Sequence, residues 1–287
     1  MHGWRSGIRP LRGGDLSQAP SSSKQDLSKR DLSKQDLSKQ DLSKQRPVRV
    51  SVIIPTRNEA SAIGRVLADL PADLVTEVVV VDSNSTDGTP EIAAKAKMGA
   101  RVVSEPRRGY GRACLTGLAL ANAPDVVVFL DGDYSDRPAE LPLLLAPIIE
   151  GRADITLGSR LGERRSAEAL PWHQVFGNRL AAGLINLLYG LKITDLGPFR
   201  AARADVLRQL ALEEATYGWA VEMILKGAIH GFRIVEVPVS YYPRIGKSKI
   251  SGTVKGTLGA AWFILSRIVI YYFRRKTEAP RAHVSPH

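Results

Sequence analysis

The sequence predicts an α/β protein, a mostly parallel sheet with helices on both faces. Three observations predict it. Short apolar runs recur through the first half of the chain, helical patterns fill the intervals, and polar residues gather directly after the runs. An apolar run without alternation suits a strand covered on both faces. Strands that alternate with helices imply parallel crossovers.

Residues 1–46 stand outside this pattern. They hold ten Lys/Arg and five Asp, and from Asp26 they repeat DLSKR once and DLSKQ three times. Each five-residue step turns a leucine by about 140° around a helix, so Leu27, Leu32, Leu37 and Leu42 share no face. The segment reads as a low-complexity, disordered tail; the sharper alternative is an arm for a partner or a membrane.

The folded domain is expected over residues 47–255. Residues 50–54 (VSVII) form a buried strand that ends at Pro55, and 61–70 a helix. The strand at 77–81 ends at Asp82. The next helix starts at Thr89, with Thr as the cap, Pro90 at the first helical position and Glu91 in the first turn. A strand at 101–104, a helix at 111–121, a strand at 126–130, a helix at 138–150 and a strand at 154–157 follow. The second half is less regular: a helix at 174–189, a loop at 195–200, a helix at 218–230, a strand at 232–237 and a basic loop at 242–251. Residues 258–273 are apolar except for Arg267 and precede Arg274, Arg275 and Lys276. That segment, within a C-terminal unit at 256–276, is shorter than the roughly 20 residues of a spanning helix. It suits either an interfacial helix, with basic residues at anionic headgroups, or a helix packed on the domain. Residues 277–287 are a tail.

The net charge is +11 and the isoelectric point about 9.9, which favours anionic partners. The charge is spread along the chain and the C2H2 spacing is absent, so no nucleic-acid partner is expected. Cys114 is the only cysteine, which excludes an intrachain disulfide and a cysteine zinc cluster. The five histidines lack HExxH spacing. The N-terminus has no apolar run, so no secretory signal is expected. These features point to the cytoplasm, at the cytoplasmic face of the membrane if the C-terminal segment is interfacial.

In open parallel sheets ligands bind beyond the carboxyl ends of the strands. Three polar loops, 56–59, 82–87 and 131–136, should converge there. The most informative string is VVVFLDGD, ending at Asp133. An apolar strand delivers two carboxylates one residue apart, and Gly132 lets both approach one ion. Carboxylates suit the hard cations Mg²⁺ and Mn²⁺. As an isolated turn DGD would mean little; its position after a buried strand gives it weight. Asp82 also ends a strand and is expected at a base or ribose, whereas Asp87 shapes a turn and caps a helix. Gly109-Tyr110-Gly111 misses the dinucleotide fingerprint and reads as a helix start near the ligand, with Arg107 and Arg108 available to phosphate groups.

The strings Pro55-Thr-Arg-Asn-Glu59, Val80-Val-Asp-Ser83, Asp87-Gly-Thr89 and Asp131-Gly-Asp133 resemble the family-2 glycosyltransferases of the GT-A fold. Gly158-Ser-Arg160, Gly177-Asn-Arg179, the stretch from Thr194 to Arg200, Glu236-Val-Pro-Val-Ser240 and the loop from Arg244 to Lys249 narrow the match. Together they are similar to dolichyl- or polyprenyl-phosphate sugar synthases. The resemblance implies that Pro55, Asn58, Glu59 and Asp82 line the nucleoside pocket. It implies that Asp131 and Asp133 bind the metal and the donor diphosphate. Arg160, Arg179, Arg200 and Arg244 would gather around donor and acceptor phosphates, with Arg160 on the donor side, and Lys247 and Lys249 would share the loop of Arg244. Asp133, Arg200 and Arg244 would then be the catalytic set. The implied partners are a nucleotide-sugar donor and a lipid-phosphate acceptor; the C-terminal apolar segment adds either a peripheral membrane contact or an interface with a second copy of the chain. One departure matters: such synthases carry Gln as a further metal contact where this chain has Ser135, which leaves Ser135, Asp136 or water as the third ligand.

The implied reaction is metal-dependent, inverting transfer from UDP-glucose or GDP-mannose to a polyprenyl phosphate. A phosphate monoester is ionised near neutrality and needs no general base. A hydroxyl acceptor on a saccharide, small molecule or protein would need one, and Asp195 and Glu222 are the candidates. A sugar nucleotidyltransferase and a non-catalytic membrane-associated binding protein are the other readings.

Overall fold

A computed structural model of the chain describes residues 46–161, 170–246 and 254–274, with side chains in the last stretch from 263 onward. Contacts divide the chain after Pro47, and the unit Val48–His287 carries every element described below.

Seven strands form one sheet: β1 (Val50–Thr56), β2 (Glu77–Asp82), β3 (Arg101–Ser104), β4 (Val126–Phe129), β5 (Ile155–Ser159), β6 (Arg200–Arg203) and β7 (Ile234–Pro238), in the order β3-β2-β1-β4-β6-β5-β7. β1 to β4 are mutually parallel, and β5 pairs parallel with β7. β6 runs antiparallel between β4 and β5; it follows the expected loop, overlapping it only at Arg200, and no strand was expected there.

The apolar runs split their side chains with a period of two. Ile53, Val79, Val81, Val127 and Phe129 join one buried cluster; Val52, Ile54, Val78, Val80 and Val128 join the other. Each run is apolar throughout because helices cover both faces. These helices are α1 (Ile63–Ala68), α2 (Thr89–Ala94), α3 (Tyr110–Leu120), α4 (Leu141–Ile149, after a 3₁₀ turn at Pro138–Glu140), α5 (Trp172–Tyr189), α6 (Ala204–Leu210), α7 (Trp219–Ile229) and α8 (Val254–Arg274).

The start of α2 shifts by one residue. Gly88, at φ +86°, precedes the helix, and Thr89 is its first residue. Gly88 holds the N-cap position in place of Thr89, and the Asp87 carboxylate accepts the Thr89 backbone N–H at 3.1 Å at the turn before it. α8 lies against α5 and α7. The Tyr271 hydroxyl donates to Glu222 at 3.0 Å and Ile268 is fully buried, while Val269, Ile270 and Phe273 face out. The C-terminal helix therefore packs on the domain along one side and keeps an apolar side exposed. Among the described residues no helix is long and apolar enough to cross a membrane.

Candidate active site

The carboxyl ends of β1, β2 and β4 open onto a cavity of about 440 Å³. Pro55, Glu59, Asp131, Asp133 and Arg244 all line it. Gly132 is required between the two acids: a Cβ there would stand 2.9 Å from Thr56 Cγ2. The pair is thereby pressed against the end of β1.

The segment after β7 positions the arginine. Tyr242 N–H donates to Ser135 O and Ile245 N–H to Asp133 O, both at 3.0 Å, and Asp136 bridges to Tyr241. The basic loop thus runs alongside the loop after β4. Arg244 Nη2 lies 3.0 Å from Asp133 Oδ2 and 3.3 Å from Glu59 Oε1. Ser135 donates to Asp133 Oδ1 through its N–H at 3.0 Å and its hydroxyl at 2.6 Å. Asp133 is thereby held on both oxygens.

Asp131 is not. Its Oδ1 is buried without a hydrogen-bond partner. Burial, reinforced by the neighbouring Asp133, pushes its carboxyl up to about 7. The Tyr110 hydroxyl also lacks a partner, although the phenol stands near enough for each group to shift the other's proton affinity. A buried acid with a free oxygen, one residue from a second fixed acid, is a good place for a divalent cation.

A third protein ligand is not in place. Asp136 is buried with both carboxyl oxygens unpaired, and burial raises its pKa well above the usual carboxylate range, with Asp131 next in effect. Yet among the described residues no group of three His, Cys, Asp or Glu could hold a metal ion. A cation on Asp131 and Asp133 would draw its other ligands from phosphate oxygens and water.

The other expected site residues divide. Asn58, at φ +52°, ties two loops: its Oδ1 accepts Thr86 N–H and its own N–H donates to Ser85 Oγ, both at 2.8 Å. Asp82 accepts Ser85 N–H at 2.9 Å and sits behind Ser83, which lines the cavity. Arg108 lines the cavity, whereas Arg107 pairs with Glu105 at 2.8 Å.

Arg160 is buried and binds Asp195 in a fork, Nε to Oδ2 at 2.7 Å and Nη2 to Oδ1 at 2.9 Å. Burial opposes its charge, but Asp195 outweighs it and the guanidinium pKa rises. Arg200, expected in a loop and pointing to the crevice, instead opens β6 and is fully buried. Its guanidinium donates to the carbonyls of Gly197, Ala220 (2.6 Å) and Leu196 (3.4 Å). Antiparallel insertion between β4 and β5 turns this side chain into the protein. Arg179 lines a second cavity of about 450 Å³ with Ser159, Asn186 and Thr194. Lys247 and Lys249 lie outside the described residues.

Both candidate general bases are committed. Asp195 is fully buried on Arg160, which holds its carboxyl below the usual range against the opposing effect of burial. Glu222 accepts the backbone N–H of Glu213 and Glu214 and pairs with Lys226 at 3.0 Å, as their i,i+4 spacing predicts.

Tyr110, at the helix start expected near the ligand, lines the cavity, but sequence reasoning missed Thr216 and Tyr217 beside it. Their signal was the glycine pair at 109 and 111. A Cβ on Gly109 would stand 2.2 Å from Ala215 O, and one on Gly111 2.1 Å from Glu214 O. These glycines admit the 214–217 segment rather than a dinucleotide.

The comparisons with known proteins bear on the family and the fold. The model of glycosyl transferase family 2 matches residues 51–211. A dolichyl-phosphate hexose transferase of Haloferax volcanii is 37% identical over 70% of this chain and 86% of its own. An undecaprenyl-phosphate mannosyltransferase of Micrococcus luteus is 35% identical over 73% of this chain and 90% of its own. Among solved structures, glucosyl-3-phosphoglycerate synthase of Mycobacterium tuberculosis, in complex with Mn²⁺, UDP and glucosyl-3-phosphoglycerate, superposes with a TM-score of 0.60 at 25% identity. The match covers 83% of each chain.

Proposed function

The chain belongs to the family 2 glycosyltransferases, and we propose that it transfers a hexose from a nucleoside-diphosphate sugar to a polyprenyl phosphate, with inversion at the sugar carbon. The observation that carries this is the cavity where Asp131, Asp133 and Arg244 meet while both candidate bases are locked in ion pairs and backbone hydrogen bonds. Such a site can neutralise phosphates, and neither Asp195 nor Glu222, the two carboxylates expected to serve a hydroxyl acceptor, is available as a base. A phosphate acceptor brings its own nucleophilic oxygen. The lipid phosphates in the names of the two relatives support the same acceptor class.

Asp131 and Asp133 would hold Mg²⁺ or Mn²⁺; the bound cation neutralises charge on the departing diphosphate. A structural neighbour bound to Mn²⁺ and UDP supports this cofactor. Asp133, held on Oδ1 by Ser135, sets the geometry. Arg244 exchanges Asp133 and Glu59 for phosphate oxygens, which a guanidinium binds in the same forked manner. Glu59, Pro55 and Ser83 form the nucleoside end, and Tyr110 with Tyr217 closes the opposite wall. The bond from the anomeric carbon to the diphosphate oxygen breaks as the acceptor phosphate oxygen bonds to that carbon from the far side. Arg179, in the second cavity, is the acceptor-side cation.

The test is a panel of UDP-glucose and GDP-mannose with polyprenyl phosphate, with Mg²⁺, Mn²⁺ or EDTA. Hexose recovered on the lipid, lost with EDTA, is expected. Transfer only to a hydroxyl acceptor such as phosphoglycerate would overturn the acceptor assignment.

A further inference from the structure

The segment between α6 and α7, residues 211–218, brings Thr216 and Tyr217 to the cavity without a helix or strand of its own. Side chains hold its backbone where a regular element would use a ladder. Glu222 accepts the N–H groups of Glu213 and Glu214 at 3.0 and 2.8 Å. Glu214 Oε1 in turn accepts the N–H and the hydroxyl of Thr216 at 3.0 and 2.7 Å. The start of α3 adds backbone bonds, Gly111 N–H to Thr216 O at 3.0 Å and Arg112 N–H to Ala215 O at 2.9 Å.

α8 supplies a second support. Phe263, Arg267 and Tyr271 are four residues apart, so they fall on one face of that helix. The Phe263 ring meets Tyr217 edge-on at 5.2 Å, and a Cβ on Gly218 would stand 2.5 Å from Phe263 Cε1. Arg267 Nη2 lies 3.5 Å from Glu214 Oε2, and its guanidinium sits 4.8 Å from the centre of the Phe263 ring. Tyr271 donates to Glu222 at 3.0 Å. Arg267 is the single charge in the apolar stretch 258–273, and its partner is the carboxylate that holds Thr216. A part-exposed ion pair adds little to global stability. Its effect here is local, because one oxygen of Glu214 takes Arg267 while the other takes Thr216.

We infer that Arg267 and Phe263 are positioning residues of the nucleotide-sugar site, acting through Glu214 and Tyr217 on the wall formed by Thr216 and Tyr217. The C-terminal helix is then part of the donor site, although none of its residues lines the cavity. The assignment to the donor rests on the reading of this cavity as the nucleotide-sugar site; the support of the wall by α8 does not.

The experiment compares the full chain with Arg267→Met, Glu214→Gln and the two combined, with Phe263→Leu as a further variant. Hydrogen exchange read by mass spectrometry follows the wall, and calorimetry with UDP or GDP and Mn²⁺ follows the site. In Arg267→Met, amides of residues 213–218 should exchange several-fold faster while those of β1 and β4 keep their rates. Its nucleotide affinity should fall by roughly three- to tenfold, with the melting temperature near that of the wild type. Phe263→Leu should act in the same direction. The combined variant should bind no more weakly than Glu214→Gln alone, because Arg267 acts through that carboxylate. Arg267→Lys should restore most of the affinity. Unchanged exchange at 213–218 would overturn the inference. So would unchanged affinity despite faster exchange, a uniform rise in exchange across the sheet, or losses that simply add in the combined variant. If the wild type binds neither nucleotide while the exchange of the wall still differs, the donor reading fails and the support by α8 stands.

Discussion

Replacing Asp131 by Asn should abolish the site's chemistry and stabilise the metal-free protein at alkaline pH. The carboxyl is held at about 7 in the fold, chiefly by burial and then by Asp133, against 3.8 ordinarily. A group with a raised folded pKa binds more protons in the native state than in the unfolded chain between those two values. Its stabilising effect is therefore complete below about pH 4 and is lost as pH rises through about 7. The difference of about 3 pH units is worth at most about 4 kcal/mol. The amide of the Asp131→Asn variant cannot ionise and carries none of this loss. Urea unfolding of both proteins from about pH 5 to about pH 8.5, in EDTA, reads the effect. The variant should gain on the wild type as pH rises, by on the order of 2–4 kcal/mol at the alkaline end. Mn²⁺ with nucleoside diphosphate should restore the wild type alone. A difference between the two proteins that stays constant with pH would refute the assignment of a strained, cation-seeking carboxylate at Asp131.

Three further outcomes follow from the geometry. Gly111→Ala would place a Cβ 2.1 Å from Glu214 O, so the wall bearing Thr216 and Tyr217 must move; thermal melts should fall by the equivalent of about 1–3 kcal/mol, with nucleotide affinity weakened in calorimetry. Asp195→Ala would leave Arg160 buried without its partner, and denaturant titration should show a loss of about 3–5 kcal/mol. Arg244→Ala should lower kcat/KM by on the order of 10² or more in the lipid-glycosylation assay, with little change in the melting temperature because the side chain is part-exposed; a near-wild-type value would remove Arg244 from the catalytic set.

The parallel half of the sheet was legible because burial on both faces leaves an unbroken apolar run, as in the VVVF of β4. The DGD pair was legible for the same reason, since a strand that must end in the core delivers its next residues to the rim. β6 was not legible: RAAR is short and half charged, and only its antiparallel insertion buries Arg200. The arginines show the limit most clearly. A guanidinium suits phosphate, but it equally suits a buried carboxylate or a cluster of carbonyls. Sequence spacing cannot separate Arg244 at the cavity from Arg160 on Asp195 or Arg200 on backbone oxygens. Thr216 and Tyr217 carried no motif of their own, and only the close approach at Gly109 and Gly111 betrays them.

The most direct measurement of the central claim is Mn²⁺ binding in the presence of nucleoside diphosphate, followed by electron paramagnetic resonance on the wild type, Asp131→Ala and Asp133→Ala. Saturable binding by the wild type, weakened roughly a hundredfold or more in either folded variant, is the predicted result. Equal affinity in all three proteins would place the cation elsewhere and contradict the account.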